Sequence, residues 1–293
     1  MLPSKETGQL LRAVCWMTGT LLSFMAMAVA ARELSDTLTP FQIIFFRSTV
    51  SLVIISILIF RTGPRAFTTR HLRLHLARNT AHFIAQYGWF YGIAFLPLAQ
   101  VFAIEFTLPV WSAILAVLIL HERLTLPRTT AVILGLTGML IILRPGLGEV
   151  NTAALVVLFS AVCLGLAHTL TKTIVVHDAP ATILFYMSLI QLPLGLCFSV
   201  HNWHTPDLMR MPWILVVGIS SLTAHFCMAK ALELSRATVV IPIDFLRLPL
   251  IALVGALVYQ EPLDGYLFIG AAVMLSGNLI NIRAEQKYHD TSS

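Results

Sequence analysis

Apolar stretches of about twenty residues follow one another along the chain, and the short segments between them hold most of the charged residues. Twenty helical residues rise about 30 Å, which is the thickness of the hydrocarbon layer of a membrane. The stretches run from Leu10 to Ala31, Thr39 to Phe60, Leu76 to Phe95, Leu98 to Leu120, Thr125 to Leu143, Thr152 to Val176, Ala181 to Val200, Met211 to Leu232, Ala237 to Tyr259 and Leu263 to Ile282. Strands of a membrane barrel alternate apolar and polar residues, whereas Ala113 to Leu120 is apolar throughout. The pattern therefore predicts an all-α membrane protein with about ten transmembrane helices.

The composition supports a lipid environment. Hydrophobic residues make up 57% of the 293 residues and charged residues only 11%, against roughly 25% charged residues in soluble domains. The net charge of +5 does not point to nucleic acid, because the basic residues separate apolar spans and do not line one face of a soluble helix. The four cysteines lie far apart, without a CxxC pair, so they indicate neither a disulfide framework nor a zinc site, and the sequence predicts no metal and no cofactor.

The basic residues predict the orientation, because cytoplasmic loops retain an excess of lysine and arginine. With the amino terminus inside, the outer loops contain only Arg32, Arg144 and Arg210. The inner set is Lys5, Arg12, Arg61, Arg65, Arg70, Arg73, Arg78, Arg123, Arg128, Lys172, Arg236, Arg283 and Lys287. We therefore expect a multi-pass membrane protein with both termini in the cytoplasm.

The second half of the sequence repeats the first. Phe102 to Leu124 aligns with Ile241 to Leu263 at a constant offset, because 241 minus 102 and 263 minus 124 are both 139. Nearer the start, the stretch from Pro40 aligns with that from Pro180. Each repeat, at residues 10–143 and 152–282, contains five predicted helices. An odd number of spans inverts the second repeat, and transporters use such symmetry to alternate access to a site near the midplane.

The chain resembles the drug/metabolite transporter superfamily, and specifically carriers with two EamA-type repeats. The matching pieces are the FYGIAFLPLAQ run of Phe90 to Gln100, the HERLTLPR turn of His121 to Arg128, the glycines Gly135 and Gly138, and Arg47 in the second helix. The resemblance covers nearly the whole chain. It implies a membrane carrier, and it leaves the cargo open because members differ widely: amino acids and related metabolites, metallophores, S-adenosylmethionine, riboflavin and nucleotide sugars.

Two carboxylates are the first candidates for function. Glu105 and Asp244 occupy equivalent positions in the two repeats, and each is followed by a proline, Pro109 or Pro249, that can open the helix. Ionisable groups at membrane depth are costly and therefore indicate function. The pair could bind a cationic group of the cargo or exchange a proton. The alternative is an internal ion pair with Arg247 or Arg47, both of which we interpret as structural ionic residues.

Other polar and aromatic side chains complete the predicted site. Gln86 and His225 are a second equivalent pair, and Tyr87 lies beside Gln86. His168 breaks the repeat symmetry and would titrate near neutral pH if it were accessible. Trp111 lies deep in the fourth span. Packing explains each histidine and the tryptophan equally well, so these roles stay open.

The resemblance is closest to bacterial exporters, so we expect a secondary transporter that exports amino-acid-like compounds by alternating access. Uptake of a vitamin, nucleoside or S-adenosylmethionine-like cargo is the alternative. A polytopic enzyme acting on lipid-linked substrates is the alternative of another class, although the sequence contains no long soluble loop and no Ser-His-Asp pattern, so we do not expect an enzyme. The expected partners are a small-molecule cargo and the lipid bilayer; a coupled proton and a homodimer are left open.

Overall fold

A computed structural model describes residues 5–62, 67–120, 125–144, 151–235 and 237–292 of the chain. Within these ranges the structure is helical almost throughout and contains no β-strand, which confirms the all-α prediction. The helices are α1 (Lys5–Ser35), α2 (Pro40–Thr62), α3 (Leu72–Phe95), α4 (Leu98–Glu105), α5 (Leu108–Leu120), α6 (Leu126–Leu143), α7 (Thr152–Ile174), α8 (Pro180–Ser199), α9 (Met211–Leu234), α10 (Ala237–Phe245), α11 (Arg247–Tyr259) and α12 (Gly265–Ser292).

The predicted spans correspond to these helices. Nine stretches within the described residues are long and apolar enough to cross a membrane, and they account for every predicted span except the third. The third span is α3, which has 24 residues but carries buried polar side chains, among them Arg78, Asn79 and His82. Polar groups on a spanning helix are tolerated where they face the interior of a bundle. α3 therefore fits a spanning helix whose polar face lies inside the protein.

The fourth and ninth spans are each broken into two helices. α4 ends at Glu105 and α10 ends at Phe245. Proline has no N–H to donate to the carbonyl four residues earlier, and that carbonyl belongs to Glu105 for Pro109 and to Phe245 for Pro249. The two prolines thus end α4 and α10 where the sequence predicts an opening. Both breaks lie next to the candidate carboxylates.

The packing of the helices repeats about a twofold axis. α1 packs along α9, and α3 packs along α7. Because the repeats equate α1 with α7 and α3 with α9, these are two copies of one contact. α2 packs on α8 and α6 on α12, so each of these helices meets its own counterpart. This arrangement, with five spans in each half, gives two inverted five-helix repeats.

One end of the bundle is cross-linked by polar contacts. Arg32, at the end of α1, forms an ion pair with Glu261 at 2.8 Å, and the same carboxylate accepts a hydrogen bond from the backbone N–H of Leu98 at 2.8 Å. Glu261 therefore caps the amino terminus of α4. Beside it, the hydroxyl of Tyr259 donates to Glu33 at 2.9 Å. These contacts hold the ends of α1, α4 and α11 together.

The opposite end has a separate cluster around Asp178, in the turn between α7 and α8. Its Oδ2 accepts a hydrogen bond from the Thr69 hydroxyl at 2.6 Å and lies 2.8 Å from Nε2 of His75. Burial raises the pKa of Asp178, but the hydrogen bonds from Thr69 and His75 outweigh burial and hold it below its ordinary value. Because its pKa is lowered, ionised Asp178 stabilises the fold at neutral pH. This contribution to stability is lost only as the pH falls through the folded-state pKa of Asp178.

Candidate binding cavity

A cavity of about 150 Å³ lies between the two repeats, and we call it the central cavity. The unbroken helices α1, α3, α7 and α9 line it with residues spaced three, four or seven apart, which lie on one face of a helix. The broken spans line it with the residues next to their breaks. The prolines therefore place Glu105 and Asp244 at its wall.

The lining of the central cavity follows the repeat. The equivalent pairs, at the same offset of 139, are His82 with Ser221, Gln86 with His225, Trp89 with Met228, Glu105 with Asp244, and Leu108 with Arg247. Both members of every pair line the cavity. The central cavity therefore lies on the pseudo-twofold axis, which is where an alternating-access carrier holds its cargo.

Five of the side chains predicted from the sequence come together here. Gln86, Glu105, His168, His225 and Asp244 all line the central cavity. They belong to five different helices, so only the fold brings them close. The carboxyl oxygen Oδ1 of Asp244 and the amide oxygen of Gln86 have no hydrogen-bond partner among the described residues. Both oxygens can accept a hydrogen bond from a bound molecule.

Two predicted residues, Tyr87 and Trp111, do not line the central cavity. Ala85, Gln86 and Trp89 share the face of α3 that lines the cavity, and Tyr87 lies about 100° round the helix from Gln86, on the side away from Ala85. Its ring stacks on Phe41 of α2 instead, with centroids 4.4 Å apart. The indole of Trp111 donates to Thr107 at 3.0 Å, within its own broken span. The structure therefore corrects the placement of both rings, which pack between helices.

Arg247 joins the two carboxylates. Its Nη2 lies 2.7 Å from Oδ2 of Asp244, and its Nη1 lies 3.6 Å from Oε1 of Glu105. The second contact is longer than a hydrogen bond, and Nε of the guanidinium has no partner among the described residues. The side chain of Arg247 is only 6% exposed. One arginine thus serves two carboxylates, and it is bound more tightly to the nearer one.

Glu105 has a second donor from α3. The indole N–H of Trp89 donates to Oε2 of Glu105 at 2.8 Å. Trp89 is buried and packs edge-to-face on Phe102, with centroids 5.8 Å apart. Because packing fixes the ring, the indole fixes the carboxylate at the cavity wall.

Aromatic rings surround the guanidinium of Arg247. Its central carbon lies 4.4 Å from the ring centroid of Phe24, 5.2 Å from that of Phe106 and 5.6 Å from that of Phe102. Behind the guanidinium, Phe106 stacks on its repeat equivalent Phe245, with centroids 4.2 Å apart. Cations over aromatic faces within about 6 Å are attracted by the ring quadrupole. Two carboxylates and these rings together form a site suited to an organic cation.

Two further arginines are buried beside the central cavity. Arg47 of α2 donates to the Ser221 hydroxyl at 2.9 Å and to the amide oxygen of Gln191, whose amide nitrogen lies 2.7 Å from Nδ1 of His82. Arg78 of α3 donates to Thr171 at 3.2 Å and to Asn79 at 2.6 Å. Neither arginine forms an ion pair within the described residues. Arg47 ties α2, α8 and α9 together, as expected of a structural residue, but its partners are neutral.

Sequence reasoning missed several residues of the cavity wall, among them Trp89, Ser221 and Phe24. A signal for Trp89 was present, because His82, Gln86 and Trp89 lie at i, i+4 and i+7 and share one helix face. Ser221 follows from the offset applied to His82. Phe24 lies in an apolar stretch and carries no such signal.

Comparisons with known proteins agree with this architecture. An S-adenosylmethionine uptake transporter from Rickettsia prowazekii is 25% identical over 277 residues, which cover 94% of this chain and 94% of that protein. A riboflavin transporter from Rhizobium johnstonii is 31% identical over 229 residues, covering 78% and 76% of the two chains. A protein of known crystal structure, 14% identical, has the same fold with a TM-score of 0.66 over 94% of this chain and 98% of that one.

The pattern of the EamA-like transporter family matches the chain twice, at residues 11–144 and at residues 151–283. The two matches leave only short segments of the chain uncovered. Each match contains five spans, and one of the five is broken into two helices. The chain therefore belongs to the EamA-like transporter family, within the drug/metabolite transporter superfamily that its sequence motifs resemble.

Proposed function

We propose that this protein is an uptake carrier for a small organic cation of the S-adenosylmethionine type. Such a cargo has a sulfonium or ammonium charge, an amino-acid carboxylate and a heteroaromatic ring. The observation that carries the proposal is the single arginine shared by Glu105 and Asp244. With both carboxyl groups ionised, the trio has one negative charge in excess, and a cationic cargo would offset it at membrane depth.

The buried arginines Arg47 and Arg78 support an amino-acid end. They lie next to residues of the cavity wall, with hydrogen bonds to neutral partners alone among the described residues. Buried cations favour a nearby negative charge. A carboxylate of the cargo on this side, with its cation on the side of Glu105 and Asp244, would satisfy both ends of the central cavity.

The rings of Trp89 and Phe24 support a flat heteroaromatic group, because aromatic faces stack on such groups. The central cavity of about 150 Å³ is smaller than the roughly 300–1,000 Å³ typical of pockets for drug-sized ligands. Binding therefore requires the two repeats to move apart around the cargo. The breaks in the fourth and ninth spans are the places where the backbone can bend.

The relatives support uptake more than export. Two relatives that cover 94% and 93% of this chain are named S-adenosylmethionine uptake transporters, which matches the alternative expectation from the sequence and not the expected export. The riboflavin transporters, at up to 31% identity, make riboflavin the second candidate cargo. Riboflavin has no cationic group, so it would leave the carboxylate pair unexplained. The membrane-enzyme alternative gains nothing, because the relatives are named as transporters.

We infer an orientation in the bacterial inner membrane with both termini in the cytoplasm. The lysine and arginine bias supports this orientation. The few arginines on the outer side are each held by a polar partner. Arg32 pairs with Glu261, Arg144 with Asp264, and Arg210 donates to the carbonyl of Glu33. A reporter that is active only in the cytoplasm should be active when it is fused after Arg283. An inactive fusion would indicate the opposite orientation. A coupled proton and a homodimer stay predictions.

Uptake in cells tests the cargo directly. Bacteria that do not take up S-adenosylmethionine should accumulate the tritium-labelled compound when they express this chain. Unlabelled S-adenosylhomocysteine, which lacks the sulfonium charge, should compete at least about tenfold less well than unlabelled S-adenosylmethionine, because one lost charged contact is worth about 1.5–3 kcal/mol. Accumulation of labelled riboflavin alone would select the second candidate. If preloaded cells lose S-adenosylmethionine and the same cells show no uptake, the result supports export instead.

Trp89→Phe should reduce this uptake roughly tenfold, because phenylalanine keeps the ring but removes the N–H that binds Glu105. The initial rate should be compared at equal amounts of protein in the membrane. Trp16→Phe is the matched control, since Trp16 packs on Phe226 outside the central cavity. An unchanged rate in Trp89→Phe would show that the position of Glu105 does not matter for uptake.

A further inference from the structure

We propose that Arg247 is a tethered substitute for the cargo, which occupies the cation site of the empty carrier and allows it to return across the membrane without cargo. The proposal rests on the function proposed above and concerns the regulation of the same site. In this cycle the cationic group of the cargo displaces the guanidinium from Glu105. When the cargo leaves, Arg247 takes its place again.

The repeat symmetry sets Arg247 apart from the residues around it. Glu105 and Asp244 are equivalent, so a carboxylate belongs to both repeats. The equivalent of Arg247 is Leu108, which also lines the central cavity. If Arg247 only neutralised Asp244 in its own repeat, the other repeat would need a second arginine to neutralise Glu105. One arginine for two carboxylates fits a role that is filled once, at the axis.

The surroundings of Arg247 are those that an organic cation needs. The guanidinium lies between two carboxylates and against the rings of Phe24, Phe102 and Phe106. It is almost fully buried, yet its Nε and Nη1 atoms have no hydrogen bond among the described residues. A guanidinium fixed by structure alone is normally bound through its planar fork of donors. Here the hold on Glu105, at 3.6 Å, is loose enough for another cation to compete.

The local backbone allows the exchange. Arg247 is the first residue of α11, and Asp244 lies in the last turn of α10, so the break in the ninth span separates them. Their contact of 2.7 Å joins residues three apart and does not depend on the other repeat. Arg247 can therefore stay with Asp244 while Glu105, on α4, binds the cargo. When the cargo leaves, Arg247 contacts Glu105 again, and the empty carrier can then reorient.

The charge of the site explains the need for the substitute. Without a cation, two carboxylates would be closed off from water in the low-dielectric interior with no counter-charge, which disfavours reorientation of the empty carrier. With Arg247 between them, or with the cargo bound, the repulsion is relieved. The carrier can then move both loaded and empty, which net uptake requires. Exchange of one cargo molecule for another does not require the empty step.

Purified protein in liposomes separates the two modes. Net uptake is measured with labelled S-adenosylmethionine and empty liposomes, and exchange with liposomes preloaded with the unlabelled compound. In Arg247→Gln, the ratio of net uptake to exchange should fall at least about tenfold, because only the empty step loses its cation. Arg247→Lys should keep both modes. A parallel fall of both modes in Arg247→Gln, or no fall in either, would overturn the proposal.

Two further measurements make the test independent of one variant. In the wild type, preloading should stimulate uptake less than about threefold, and a wild-type carrier that only exchanges would contradict the proposal. Leu108→Arg combined with Arg247→Leu moves the arginine to the equivalent position, and it should restore net uptake relative to Arg247→Leu alone. If the wild type transports S-adenosylmethionine in neither mode, the proposed cargo fails, whereas a transporting wild type with the wrong pattern refutes the role of Arg247.

Discussion

Glu105→Gln and Asp244→Asn should each reduce the initial rate of S-adenosylmethionine uptake by roughly 10- to 100-fold, because each removes a charged contact worth about 1.5–3 kcal/mol. Both replacements keep the shape of the side chain and remove only its charge. Once one carboxylate is gone, Arg247 neutralises the other, so no negative charge remains for the cargo. In the double variant the positive charge of Arg247 has no counter-charge and would repel a cationic cargo, so uptake should fall below that of either single variant.

The matched control is Asp207→Asn, which removes an exposed carboxylate from the loop before α9 and should leave uptake unchanged. A compensating variant sharpens the test. Glu105→Gln with Arg247→Gln leaves one carboxylate and no arginine, so it has the net charge of the wild-type trio and should recover part of the exchange activity lost in Glu105→Gln alone. Full activity of both single variants, or a double variant that transports faster than either of them, would refute the shared-arginine account.

Gly138→Ala should lower the unfolding temperature of the purified protein in detergent, because α6 and α12 touch there through their backbones. A Cβ atom on Gly138 would lie 2.5 Å from the carbonyl oxygen of Gly270 and 2.7 Å from Cγ of Met274. No rotation of a side chain relieves a clash with a carbonyl oxygen, so the helices must separate. Overpacking of this kind typically costs about 1–3 kcal/mol.

Gly265→Ala is the control for this prediction, since a Cβ atom there meets nothing within 4 Å. It should leave the unfolding temperature close to that of the wild type. Equal unfolding temperatures for Gly138→Ala and the wild type would mean that α6 and α12 can separate at little cost. In that case the close contact between these two counterpart helices would contribute little to the stability of the fold.

The helical architecture could be predicted from the sequence because each of its determinants is local or repeated. The length of the apolar stretches sets the spans, and Pro109 and Pro249 set the breaks four residues earlier. The offset of 139 then predicts which residues face each other. Its success at Gln86 and His225 follows from the twofold axis, which brings equivalent positions to one cavity.

The parts that could not be predicted depend on angles and distances between helices. Of the two sequence neighbours of Gln86, Ala85 lies on the side of α3 that lines the central cavity and Tyr87 lies on the other side. The sequence suggests a contact between Asp244 and Arg247 at three residues' spacing. It does not reveal that the same arginine also approaches Glu105 from the other repeat. The direction of transport leaves no local pattern in the sequence. The expectation of export rests on the family resemblance, and the proposal of uptake rests on the relatives.

The most direct test of the account is an experimental structure of the protein with S-adenosylmethionine bound. The account predicts the ligand in the central cavity, with its sulfonium against Glu105 and with Arg247 withdrawn from Glu105 but still in contact with Asp244. A ligand bound elsewhere would contradict the proposed site. A ligand in the cavity with its charged group turned away from both carboxylates, and Arg247 still between them, would contradict the proposed recognition.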